Sequence, residues 1–181
     1  MPQTIAAAAA PEEAGPEAAP PPRAPAPSPP SPQVTAWVAE FVEGWRAPAG
    51  PDELADHFAR VVSPDVRLIQ PQIPTLIGPR ALRERFARPL FALLPDLRAE
   101  VERWAGGEDF ALIELTLSGT LGGRPVAWRV VDRVTIRDGV AVERESYLDP
   151  LPLLRAVLTR PRAWPRFLAM RLAELRGRRY G

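Results

Sequence analysis

At Leu97 the spacing of apolar residues changes from the 3.6-residue period of a helix to the two-residue period of a strand. That change does most to limit what the chain can fold into. Three amphipathic helices are expected before it. The first carries Val34, Trp37, Val38, Phe41, Val42 and Trp45 behind Ser31-Pro32, an N-cap followed by a proline in the first turn. The second runs from Asp52 to Val62 and the third from Arg80 to Leu94. A short strand, Val66 to Gln70, and a loop with Pro71, Gln72, Pro74 and Gly78-Pro79 lie between the last two. Beyond Leu97, strands are expected over about 97–105, 109–119, 124–137 and 140–148. Gly106-Gly107, Gly122-Gly123 and Asp138-Gly139 separate them as hairpin turns. Helices first and an antiparallel meander second predict an α+β domain, with helices covering one face of a curved antiparallel sheet.

Composition removes several chemistries. The 181 residues include no cysteine, so disulfides, thiolate metal sites and cysteine nucleophiles are excluded. A single histidine, His57, excludes a histidine-rich zinc site. No apolar run approaches the ~18 residues of a membrane span. The N-terminus shows neither a basic n-region nor an adequate h-region, and a cytoplasmic location is expected. Residues 1–33 hold 11 prolines and 10 alanines and are expected to be disordered. All 23 basic residues are arginine. Eight of them lie in residues 151–181 with one acid, Glu174, so a basic tail follows an acidic body.

The stretch Arg124 to Arg137 carries the most chemical information. Its even positions, Val126, Trp128, Val130, Asp132, Val134 and Ile136, form an apolar inward face on which Asp132 is the one ionisable group. A carboxylate there must be paired, protonated or set in a cavity. Two readings stay open: a pocket acid able to exchange a proton, or a buried Asp bonded to an arginine or a backbone amide. Glu114 is a weaker candidate for a second pocket carboxylate, set among Phe110, Leu112, Thr116 and Ser118. Gln70 and Gln72, leaving the first strand, suit a cavity mouth, and His57 reads as surface or core filler.

In order and spacing, a series of short motifs over residues 34–150 resembles the SnoaL-like polyketide cyclases of the NTF2-like superfamily. The carriers are Leu54-Ala55-Asp56-His57-Phe58, Pro64-Asp65-Val66-Arg67-Leu68 and Ile77-Gly78-Pro79-Arg80-Ala81-Leu82. Gly123 to Asp132, Ile136-Arg137-Asp138-Gly139 and Glu143 to Pro150 complete the series. The resemblance implies an NTF2-like cone: three N-terminal helices on a strongly curved antiparallel sheet around a hydrophobic pocket, often in a homodimer. It also implies a pocket acid at Asp132, as in ketosteroid isomerases, which keep an acid neutral in an apolar site. Departures narrow the chemistry. Limonene epoxide hydrolases have an arginine where this chain has Val130, and a second aspartate where it has Ser146. The isomerases' base and first-helix tyrosine are also missing, with Gln70 standing near the place of the base.

The expectation is therefore a 34–150 SnoaL-like domain binding a small apolar carbonyl compound. Asp132 would be the catalytic acid/base for cofactor-free aldol-type cyclisation or isomerisation. Gln70, Trp45, Trp128, Val130 and Ser146 would bind the substrate, with no metal and no organic cofactor. The rival expectation is a non-catalytic NTF2-like module that binds a ligand or a partner protein. Nucleic acid is not expected as a partner. Trp164, Phe167, Leu168, Leu172 and Leu175 form one stripe in a helical tail over 151–181. The tail is expected to dock on the domain rather than lie on a membrane surface.

Overall fold

The structure, a computed structural model, describes residues 29–71 and 73–178. Of the segment expected to be disordered, residues 1–28 lie outside the described residues, as does Gln72. Helix α1 (Pro32–Trp45) begins as its sequence dictates: the Ser31 hydroxyl accepts from the Val34 amide at 3.3 Å. The same hydroxyl donates to the Glu108 carbonyl at 2.8 Å, tying the start of α1 to the first hairpin of the meander. Helix α2 (Pro51–Ala59) follows the break at Pro48 and Gly50, with Leu54, Ala55 and Phe58 buried against α1.

Strand β1 (Val62–Ile69) begins earlier than expected, and the following loop contains a two-residue strand β2 (Leu76–Ile77). The third expected helix is a run of three pieces: α3 (Gly78–Ala81), a π-helical turn (Leu82–Ala87) and α4 (Arg88–Leu93). Pro89 explains the wide turn. It has no N–H to give the Arg85 carbonyl, and its ring would collide with that carbonyl in a regular helix. The bonding shifts by one residue, so that the Arg88 amide donates to the Arg83 carbonyl.

Strands β3 (Arg98–Gly106), β4 (Phe110–Leu121), β5 (Arg124–Arg137) and β6 (Val140–Leu148) form the expected antiparallel meander. Two of its turns are the expected pairs, Gly122-Gly123 and Asp138-Gly139, all four residues at positive φ as a two-residue hairpin requires, whereas Gly106 lies inside β3 and residues 107–109 make the first connection. The sheet order is β2-β1-β6-β5-β4-β3. The α+β class is as the sequence indicates, but the sheet is mixed, because β1 runs parallel to β6. No hairpin joins those two strands. The helices and the whole meander intervene, so turn geometry does not force them antiparallel.

Alternation fixes which face is covered. On β5 the residues Val126, Trp128, Val130, Asp132, Val134 and Ile136 are all buried. On β4 the buried set is odd-numbered, Ala111, Ile113, Leu115 and Leu117, so Glu114 faces outward. It pairs there with Arg103, which holds its carboxyl below the usual range, and it does not serve as a second pocket acid.

The tail folds as α5 (Leu151–Thr159), a 3₁₀ turn (Pro161–Ala163) and α6 (Trp164–Arg178). Ala156, Val157 and Ala163 are buried in the main core, and α6 packs on α4. The Arg166 guanidinium donates to the Thr120 carbonyl at 2.8 Å. The expected single stripe is divided: Phe167 turns inward with Met170, while Trp164, Leu168, Leu172 and Leu175 are exposed. Docking through Phe167 and Met170 buries only one edge of the stripe. No helix among the described residues is long and apolar enough to cross a membrane.

Candidate functional site

The concave side of the sheet, the π-helical run and the tail enclose a cavity of about 230 Å³. Its walls are mostly apolar. Leu117, Trp128, Val130 and Leu148 come from the sheet, Phe86, Pro89, Leu90 and Leu93 from the π turn and α4, and Leu153, Val157, Phe167 and Met170 from the tail. The polar lining is Gln70, Arg85, Arg144, Ser146 and Arg171. A volume of this size exceeds the ~150 Å³ of a cavity that admits benzene, so one substituted ring or a comparable chain fits.

Asp132 lies immediately behind this lining and is itself 0% exposed. Register places it directly opposite Ser146 on β6, with both side chains on the buried face. The Ser146 hydroxyl donates to Asp132 Oδ1 at 2.6 Å, and Arg144 Nε donates to Oδ2 at 2.8 Å. Arg144 is two residues before Ser146 and so shares its face of β6, on the diagonal to Asp132. Its side chain is 12% exposed, and the guanidinium carbon lies 5.3 Å from the centroid of the Phe86 ring. Both Asp132 oxygens are thus satisfied, which is how a fully buried carboxylate is tolerated.

Among the described residues Arg144 makes one hydrogen bond, through Nε, so its two terminal nitrogens are unengaged by protein and available to a pocket occupant. The carboxylate fixes the guanidinium, and the guanidinium and Ser146 line the cavity. Gln70 adds an amide from the end of β1. This arrangement can bind an oxygen atom of a small apolar molecule in a largely apolar site, where a hydrogen bond is stronger than in water.

Gln70, Trp128, Val130 and Ser146, expected at the site from sequence, are brought together around the cavity. Trp45 is not among its lining. It is 1% exposed in the α1–α2 core, its ring 5.9 Å from that of Phe58, because its helical stripe faces α2 rather than the opening. Asp132 is near the pocket but behind its wall, in the paired state that the sequence left open as one of two readings. Arg144, Arg85 and Phe86 were not singled out beforehand. The signal for Arg144 was present, since strand alternation puts it on the same face as Ser146. His57 lies in the α1–α2 layer, its Nε2 2.8 Å from the Glu40 carbonyl oxygen. Among the described residues no three His, Asp or Glu side chains converge as a metal site would need.

A family model described as the SnoaL-like domain matches residues 34–144. The chain belongs to the SnoaL-like family. Solved structures share the fold of this SnoaL-like protein. One is a candidate SnoaL-like polyketide cyclase from Jannaschia sp. CCS1, 24% identical, with 70% of this chain and 94% of that chain covered at a TM-score of 0.60. Another is a protein of ketosteroid isomerase-like fold from Catenulispora acidiphila, 15% identical over 66% of this chain and 90% of that one, TM-score 0.57. A third is a limonene-epoxide-hydrolase-like epoxide hydrolase from M. tuberculosis, 17% identical over 73% and 94%, TM-score 0.54. At these identities the likeness is one of fold. No curated protein matches the chain. In this SnoaL-like protein the guanidinium beside Asp132 comes from Arg144 on β6, while the position two residues before Asp132 holds Val130.

Proposed function

We propose that this SnoaL-like protein binds a small, mainly apolar compound bearing a carbonyl or related oxygen, with that oxygen accepting from Arg144. The observation that carries the reading is the Arg144 guanidinium, fixed by a buried carboxylate and presented to an otherwise apolar, ring-sized cavity. Trp128 and Val130 would form the floor beneath the ligand and Gln70 would add a second polar contact. Asp132 acts on this reading as a positioning residue, holding Arg144 rather than touching the ligand. The test is titration of the protein with 2-tetralone and with tetralin, its hydrocarbon counterpart, followed by ligand-observed NMR. Binding of the ketone in preference to the hydrocarbon is expected, with the preference lost in Arg144→Gln combined with Asp132→Asn. Equal binding of both compounds would sink the role of these polar groups.

A second reading, proton transfer on the ligand, draws on the 2.6 Å bond between Ser146 and Asp132. A ligand enol oxygen could pass its proton to the Ser146 hydroxyl as that hydroxyl passes its own to Asp132, and the reverse movement would protonate a carbonyl while solvent water takes the α-proton and returns one to the carbon. This is the form in which aldol-type cyclisation or isomerisation would run here without direct contact from Asp132. Exchange of the α-protons of bound 2-tetralone in deuterium oxide reads it. Loss of acceleration by about 10²-fold or more in Asp132→Asn would support transfer. An unchanged exchange rate would leave the binding module.

A further inference from the structure

The ionic make-up of the pocket says more than that it accepts an oxygen atom. Resting on the small-molecule reading above, we propose that its ligand is an amphipathic monoanion, a ring-sized apolar body bearing one carboxylate. The lining has three arginines, Arg85, Arg144 and Arg171, and no acidic side chain. The carboxylate behind the wall, Asp132, compensates Arg144 and is saturated by its two contacts, and Arg171 is engaged elsewhere, its guanidinium carbon 5.3 Å from the Phe167 ring centroid. Arg85 makes no ion pair among the described residues, and it is half-buried on the π turn beside Phe86. An unoccupied pocket therefore carries excess positive charge in an apolar surround, which a neutral ligand leaves uncompensated and an anion relieves.

Geometry selects the kind of anion. Asp132 takes Arg144 through Nε, which leaves the end-on edge of the two terminal nitrogens without a protein partner among the described residues, in a side chain that lines the cavity. That edge presents two parallel N–H donors at the spacing of the two oxygens of a carboxylate. The Phe86 ring, its centroid 5.3 Å from the Arg144 guanidinium carbon, adds a cation–π contact beside that edge. About 230 Å³ holds one or two fused rings or a medium-length chain, with the apolar end against Trp128, Leu90 and Phe167.

The experiment is calorimetric titration of the full chain with 2-naphthoate and with 2-naphthamide, which share a ring system and differ in charge. The acid is expected to bind at least ~10-fold more tightly than the amide, the size of effect a charge-assisted pair supplies. In the double variant Asp132→Asn with Arg144→Gln, which keeps the buried pair matched and uncharged, that preference is expected to fall below ~3-fold, with acid affinity falling further than amide affinity. Arg85→Gln, away from the buried pair, is expected to lower acid affinity and spare the amide. Equal binding of acid and amide, or tighter amide binding, overturns the anion assignment while leaving the pocket reading in place. Binding of neither compound, and of neither 2-tetralone nor tetralin, overturns both.

Discussion

At the scale of single residues, the protein's chemistry rests on one buried ion pair. Asp132 is wholly buried, so removing either partner strands a charge or a polar group in the core. Asp132→Ala is expected to cost about 3–5 kcal/mol, measured as the shift in urea unfolding midpoint. Replacing both partners, Asp132→Leu with Arg144→Met, is expected to recover most of that loss, because well-packed apolar groups often substitute for a buried pair. A double variant as unstable as the single one would mean that Arg144 does not compensate Asp132. Part of this was legible beforehand. The period-2 pattern of β5 put a lone carboxylate on the inward face, and its partner on β6 could have been read from the same alternation once Ser146 was aligned opposite. Trp45 shows where sequence stops. An apolar stripe on a helix states that a tryptophan is buried, but core and pocket wall are equally apolar, and only packing distinguishes them.

The elements add a constraint that single residues do not show. Pro89 opens the π turn, and this turn carries Arg85 and Phe86 to the cavity. Pro89→Ala restores the missing N–H, and closing the turn removes one residue's worth of rotation, about 100°, from everything before it. The thermal midpoint is expected to hold or rise, since proline is the poorest helix former, while binding of 2-naphthoate weakens. Unchanged binding would show that the turn does not position the site.

The loop before β3 holds a second device. Asp96 Oδ1 accepts from the Thr120 amide at 2.9 Å, and that bond above all holds the Asp96 carboxyl below its usual range, against a smaller opposing effect of burial. Folded Asp96 thus binds its proton less readily than the unfolded chain does. Its contribution is present above the unfolded value of ~3.9 and is lost as pH falls through the lower folded value. Asp96→Ala should therefore lower stability at neutral pH and converge on the parent protein as acid is added. A gap that stays constant down to strongly acid pH would dismiss the linkage. The meander, its turns and the first two helices were readable because local spacing encodes them. The parallel β1–β6 pairing was not, since it joins strands some eighty residues apart and no turn residue announces it.

For the whole molecule, the decisive fact is that the pocket is not closed by the family domain alone. The SnoaL-like match ends at residue 144, yet Leu153, Val157, Phe167, Met170 and Arg171 line the cavity from beyond it. The arginine-rich tail, which the sequence shows as an addition to the domain, is folded back as a wall of the site, with α6 against α4. Ligand entry should then depend on how firmly α6 sits. Its hold on the body is modest: Phe167 and Met170 are only partly buried, and the outer side of the helix leaves Trp164, Leu168 and Leu172 more than half exposed. Truncating both inward residues, Phe167→Ala with Met170→Ala, should cost less than the ~2–5 kcal/mol of a fully buried side chain, because neither site is closed. The same double variant should speed 2-naphthoate dissociation by about tenfold, the ligand having lost both apolar contact and cover. Stopped-flow displacement measures the rate and thermal melts the stability. A parent-like dissociation rate with lowered stability would make the tail a structural brace. Faster dissociation at nearly parent stability would make it the element that controls access to the pocket.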